Sequence, residues 1–181
     1  GIFNMTAVGS DDVYILKLDS AGDFVWAKTF GNTDAEYVLD IACDASGNLL
    51  VSGYFENTVD FDPGTDSLYL TSNGSHDIYV QKLDANGDLL WAKTVDGTSG
   101  DYGNGITTDA NGNVIVTGSY RFTVDFDPGI DTLNLTSQGS LDSFVQKLDS
   151  LGNLIWVKSL GGGSYDIGYS IVADAMGSLY V

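Results

Sequence analysis

"GSHDIYVQKLDANGDLLWAKTV", Gly74–Val95, holds two short runs of β-formers, "DIYVQKL" and "LLWAKTV", around the polar joint "DANGD". In Asp84-x-x-Gly87 the aspartate side chain bonds the backbone two residues on, and glycine takes a φ > 0 slot. Such a joint is a type I turn with a G1 bulge, and the stretch is a β-hairpin. The same text returns as "GSDDVYILKLDSAGDFVWAKTF" from Gly9 and as "GSLDSFVQKLDSLGNLIWVKSL" from Gly139, a spacing of 65 residues. A second hairpin follows in each copy, as "DIACDASGNLLVSGYF", "GITTDANGNVIVTGSY" and "SIVADAMGSLYV". The six joints begin at Asp19, Asp44, Asp84, Asp109, Asp149 and Asp174.

Self-similarity at a fixed period marks a repeat architecture. Residues 1–8 match the end of a preceding unit, 9–73 and 74–138 are whole units, and 139–181 is a truncated third. The chain reads as a piece of a longer array. Pairing Asp19 with Asp23 would set Leu16 opposite Trp26 and Ile15 opposite Ala27, so both faces of the hairpin are mostly apolar. A sheet apolar on both faces is sandwiched between two others. Trp26, Trp91 and Trp156 are then anchors between neighbouring sheets, and Gly103, Gly105 and Gly168 suit a crowded axis. The fold expected is all-β: four-stranded antiparallel blades repeated as a β-propeller or an open propeller-like array, with a β-solenoid as the alternative.

Composition agrees. Of 181 residues 43% are hydrophobic, a globular proportion, and of 25 acidic residues only Glu36 and Glu56 are not Asp. Asp is a turn residue and a poor helix former. A formal net charge of −18 argues against nucleic acid and anionic membranes as partners, since both ask for a basic face. No apolar run is long enough for a membrane-spanning helix. The single Cys43 excludes a disulfide framework within these residues and reads as a small buried thiol.

The pattern D-x-[YF]-V-x-K-L-D-x-x-G-x-x-x-W, followed by D-x-x-G-N-x-x-V-x-G, resembles the bacterial secreted repeats known as seven-bladed β-propeller (SBBP) repeats. The resemblance covers nearly the whole chain. It implies a four-stranded blade per unit, export, and a place in large repetitive cell-surface proteins, and it carries no catalytic residues. The unit departs from the common form by its added "VDFDPG" segment, present at Val59–Gly64 and Val124–Gly129.

In Asp62-Pro63-Gly64-Thr65, proline at the second position and glycine at the third predict a type II turn. The segment reads as an extra hairpin clipped to the blade edge by Phe61 or Phe126, where it would cover an open strand. Its acids, Asp60, Asp62 and Asp66 with Asp125, Asp127 and Asp131, carry two readings. One is turn chemistry alone. The other is calcium, which takes six to eight oxygens from carboxylates and carbonyls.

A search for chemistry finds little. His76 is the only histidine, its equivalents are Asp11 and Leu141, and it reads as a surface residue. One Cys and one His make no zinc site. The recurrent lysines, Lys17, Lys82 and Lys147 with Lys28, Lys93 and Lys158, are expected to pair with carboxylates. The residues that break the repeat, Cys43, Glu56, His76 and Arg121, form no recognisable set in the sequence. Glycosylation sequons begin at Asn4, Asn73 and Asn134. The function expected is non-enzymatic: a secreted or cell-surface scaffold, adhesin, or extracellular matrix or filament component. Its expected partners are further repeats of the same protein or other copies of itself, with glycans or surface proteins besides. The alternative is a carbohydrate-binding or carbohydrate-active β-propeller.

Overall fold

The computed structural model describes residues 12–181, and the readings at residues 1–11, including the tail of a preceding unit and the Asn4 sequon, lie outside it. All the regular structure described is β. The first unit contributes β1 (Val13–Leu18), β2 (Phe24–Phe30), β3 (Glu36–Cys43), β4 (Leu49–Phe55), β5 (Thr58–Asp60) and β6 (Tyr69–Thr71). The second repeats them as β7 (Asp77–Leu83), β8 (Leu89–Gly97), β9 (Tyr102–Thr108), β10 (Val114–Tyr120), β11 (Thr123–Asp125) and β12 (Asn134–Thr136). The third contributes β13 (Asp142–Leu148), β14 (Leu154–Leu160), β15 (Val172–Ala173) and β16 (Leu179–Tyr180).

Every pairing between these strands is antiparallel, and the sheets straddle the sequence units. One sheet runs β12-β11-β8-β7-β4-β3 and the next β14-β13-β10-β9, while β1–β2, β5–β6 and β15–β16 stand as two-stranded sheets. A blade therefore takes its inner pair from one unit and its outer pair from the next. This is the expected all-β, blade-like repeat: β8-β7-β4-β3, which the hairpin β11–β12 extends to six strands, and β14-β13-β10-β9 are antiparallel sheets that match blades rather than the rungs of a solenoid.

The six Asp-x-x-Gly joints all form as read. Their glycines sit at φ of 76–86°, and in the first, Gly22 N donates to Asp19 O (3.0 Å) while Asp19 Oδ1 accepts from Ala21 N and Asp23 N. The register beyond the turn differs from the sequence reading. Lys17, not Leu16, lies opposite Trp26, and Leu16 lies opposite Ala27, because the ladder shifts between Lys17 and Leu18 and leaves Val25 as a bulge. The same shift recurs in β7–β8 and β13–β14. An extra residue in one strand turns every later side chain to the other face, and here it aims each tryptophan at the next sheet.

Consecutive sheets approach most closely at β3, β9 and β15, the inner strands. A Cβ at Gly103 would lie 2.9 Å from Ile78 Cγ2 of the preceding sheet, and one at Gly105 would lie 2.9 Å from Ser170 Cα of the following segment. Glycine is required there by contact, as the crowded-axis reading expects. The core fills the spaces between sheets. Leu50, Ile78, Ile106, Val116, Phe144 and their neighbours form one buried cluster. Ile15, Phe30, Val51, Phe55, Phe61 and Tyr79 belong to another.

Candidate functional site

The "VDFDPG" segments form the small hairpins β5–β6 and β11–β12. The second extends a blade outward, with Val124 opposite Gly97 and Asp125 opposite Asp96 of the otherwise outermost β8. Phe61 and Phe126 are fully buried. Phe126 packs on Tyr120 and Phe144 at ring distances of 5.1 and 4.9 Å, and its carbonyl accepts from the buried Gln146 Nε2 (2.7 Å). Phe61 is tied to Gln81 in the same way (2.6 Å). The clip is as expected; the turn is not. Gly64 and Gly129 are absent from the positive-φ glycines, so the type II assignment is corrected. Asp62 Oδ1 accepts from Gly64 N (2.7 Å) and Asp127 Oδ1 from Gly129 N (2.8 Å). The aspartate side chain takes the place of a backbone carbonyl, an Asx turn, which asks nothing unusual of glycine.

The same bonding occupies part of the six-aspartate set. Asp60 Oδ1 accepts from Asp62 N and Leu68 N, and Asp125 Oδ1 from Asp127 N and Leu133 N. Asp66 and Asp131 are exposed. Among the described residues no three His, Cys, Asp or Glu side chains converge closely enough to hold a metal ion. The hairpins thus bring Asp60 beside Asp62 and Asp125 beside Asp127 through backbone amides, and Asp66 and Asp131 do not complete a cluster with them.

Polar residues that recur at the repeat period are spent between strands and sheets. Trp26 Nε1 donates to Ala85 O, and one unit later Trp91 Nε1 donates to Ser150 O, both at 3.1 Å. Each tryptophan thereby clasps the hairpin turn of the next unit. The three tryptophans are half-buried, which fits anchors lying between sheets. Lys82 pairs with Asp44 (3.0 Å), Lys147 with Asp109 (2.7 Å) and Lys28 with Asp88 (3.1 Å). Burial pushes the Asp109 carboxyl upward, but Lys147 and the Asn113 and Asn111 hydrogen bonds outweigh it and hold it down at about 2.

Two features escaped the sequence reading. Cys43 is exposed, not buried: it ends β3, whose alternate residues Tyr37, Leu39 and Ile41 are exposed as well. And the repeat-breaking Glu56 and His76 meet, with Oε1 and Nε2 2.8 Å apart. Around them lie aromatic rings. Tyr54 stacks on Tyr37 (4.8 Å) and meets His76 and Tyr102 edge-on (5.0 and 4.9 Å). His76 is therefore a half-buried member of a cluster rather than a lone surface residue. Tyr54 and Ser119 occupy equivalent positions, so the copy-to-copy difference at 54, 56 and 76 was the available signal.

Beneath this cluster the blades carry buried acids at their strand mouths. Burial, together with the charges of Asp12, Asp34 and Glu56 and against an Asn32 amide bond, raises the Glu36 carboxyl to about 7. At the equivalent position burial and the Asp77 charge raise Asp101 to about 7, against its bond from Arg121 N. Glu36 Oε1 and Asp101 Oδ2 have no hydrogen-bond partner. An uncharged acid is the form that low-dielectric burial favours.

Comparison with known proteins yields no matching family model. The chain is 28% identical over 185 aligned residues to an uncharacterized WD repeat-containing protein, L264, of Acanthamoeba polyphaga mimivirus, covering 87% of this chain and 13% of that protein. It is 26% identical over 145 residues to the regulatory protein FlaEY of Caulobacter vibrioides, covering 80% of this chain and 15% of that one. The chain thus spans a small part of the length of these relatives. The similarity to a WD repeat protein and the all-β sheets agree on a propeller-like repeat.

Proposed function

We propose that this chain is a non-enzymatic repeat scaffold of a secreted or cell-surface protein, working as a structural, adhesive or matrix element. The observation that carries the reading is where the recurrent polar side chains go. Trp26 and Trp91 reach the turn of the next unit, and Lys82 and Lys147 pair with the joint aspartates Asp44 and Asp109, so these recurrent side chains are consumed in holding strand to strand and sheet to sheet. A residue committed to such contacts is a structural part. Export and kinship with SBBP repeats belong to the same proposal and rest on the repeat pattern. Partners follow from the chemistry of the surface: further units of the same repeat, and glycans or surface proteins that tolerate a net charge of −18.

A second reading, carbohydrate binding, is favoured by one observation, the Tyr37–Tyr54–Tyr102 cluster with its His76–Glu56 pair. Aromatic faces beside hydrogen-bonding acids are the groups a sugar ring uses. A glycan array combined with a hydrolase screen separates the two. The scaffold reading expects no turnover. Turnover abolished by Glu56→Gln would overturn it in favour of an enzyme, and array binding lost in Tyr37→Ala would establish the lectin.

A further inference from the structure

We infer that Phe122 is a docking residue, and that its ring, held out from the loop between β10 and β11, inserts into an apolar pocket with a basic rim on another protein. The inference rests on the adhesive side of the scaffold reading and names the partner surface. The two units spell this loop differently on an otherwise identical frame, "ENTVDFDPG" from Glu56 and "RFTVDFDPG" from Arg121. The second residue of each lies in the left-handed region, Asn57 at φ 57° and Phe122 at φ 62°. Asparagine tolerates that region, whereas a bulky aromatic there is an outlier. The second copy thus carries the residue its backbone favours less. A conformation of that kind persists only where surrounding bonds over-determine it.

Those bonds are present. Phe122 N donates to Ser137 Oγ (2.9 Å), and Phe122 O accepts from Ser137 N (2.9 Å). Arg121 N donates to Asp101 Oδ1 (2.8 Å), and its guanidinium donates through Nε to Ser140 O (3.0 Å) and through Nη2 to Ser140 Oγ (3.2 Å). The backbone is fixed on both sides of the ring, yet the residue is 60% exposed. A left-handed phenylalanine with a buried ring would be a packing compromise. One whose ring stands in solvent gains little from its own fold. A rigid aromatic presented in this way loses little freedom on binding, which is what an interface anchor needs.

Further units of the array leave this position open. Asn57 follows β4, whose sheet already has β9 of the next sheet packed against it, and Asn57 is still exposed. The Asn57 side chain donates to Asp34 Oδ2 (2.8 Å), a bond phenylalanine cannot make, and the equivalent of Asp34 in the second unit is Ser99. The partner's chemistry follows from the charges around the loop. Asp125 lies opposite Asp96 where β11 meets β8, and Asp101 accepts from Arg121 N, while the Arg121 guanidinium is spent on Ser140. With 25 acids against 7 cations, a second copy of this chain is repelled. An apolar pocket rimmed by lysine and arginine is attracted, and the rim charges steer it to the ring.

A labelled amphipathic helical peptide, its leucine face rimmed by lysines, serves as the probe, and its affinity for the chain is read by fluorescence anisotropy at low salt. Phe122→Asn, which gives the loop the first unit's residue, should weaken binding about tenfold or more. The same variant relieves the left-handed strain and should raise Tm by about 2–4 °C. Phe122→Trp should keep the binding. Ile130→Asn, at the fully exposed hairpin tip, should change neither readout. A peptide of the same leucine face rimmed by glutamates should not bind. A lower Tm in Phe122→Asn would make the ring a packing residue, and peptide binding indifferent to position 122 would remove the docking role. Phe122-dependent binding to phosphatidylcholine vesicles, with none to the peptide, would assign the ring to a lipid surface. Each of these three results overturns the inference and leaves the scaffold reading standing, since that reading falls on turnover.

Discussion

Glu36 and Asp101 stand one period apart at the mouths of successive blades, and each is a buried acid raised to about 7. Their carboxyls are protonated near pH 4 in the unfolded chain and near pH 7 in the fold, so they favour the fold fully below about pH 4 and lose that contribution as pH rises through 7. Asp109, held at about 2 by Lys147 and its amide bonds, acts oppositely: its contribution is present above about pH 4 and is lost as pH falls toward 2. Stability should therefore be greatest in the mildly acidic range. Thermal melts are expected to show a higher Tm at pH 5 than at pH 8, and Asp101→Asn should flatten that slope. A Tm that rises from pH 5 to pH 8 would contradict the assignment of neutral buried acids.

At the scale of elements, the added hairpin is a plug as much as an extension of the sheet. Phe126 sits wholly buried against Tyr120 and Phe144, and the hairpin strand β11 caps the edge of β8. Truncating a buried phenylalanine removes its burial and leaves a cavity, so Phe126→Ala should cost ~3–5 kcal/mol in denaturant unfolding. Ile130→Ala, at the fully exposed hairpin tip, should change little. The aspartates of this element decide its metal chemistry. With Asp60 Oδ1 and Asp62 Oδ1 already accepting backbone amides, the turn reading expects coincident melts in millimolar calcium and in chelator. Calcium bound at 100 times its dissociation constant would instead add about 2.7 kcal/mol, and loss of that gain in Asp60→Asn would place the ion at the hairpin.

For the molecule as a whole, 25 acidic residues against 7 basic ones leave a field of one sign. The ion pairs Lys82–Asp44 and Lys147–Asp109 use two of the few cations inside blades, and 7 cations cannot neutralise 25 acids. Adding salt shortens the screening length from about 30 Å at 0.01 M to about 8 Å at 0.15 M. Self-repulsion in the compact state should then fall. Calorimetry is expected to show Tm rising with sodium chloride over this range, and a falling Tm would mean that the pairs matter more than the repulsion.

The sequence by itself determined the unit, its hairpins and the all-β class. Asp-x-x-Gly closes a turn through local bonds, and alternating β-formers choose strand over helix without help from distant residues. The blade and its frame are another matter. That β4 pairs with β7 across a repeat boundary, and that Val25 bulges and moves Trp26 opposite Lys17, are outcomes of long-range packing. The Asx turn at Asp62 shows the limit at short range: proline and glycine admitted a type II turn, and the side chain's bond to Gly64 N chose another. The Tyr54–His76–Glu56 cluster shows it at long range. Copy-to-copy differences marked those residues, but only the folding of a loop against two inner strands brought them within contact. Local hydrogen bonding is written in neighbours along the chain; convergence depends on which sheets pack, which is set by the summed burial of many side chains.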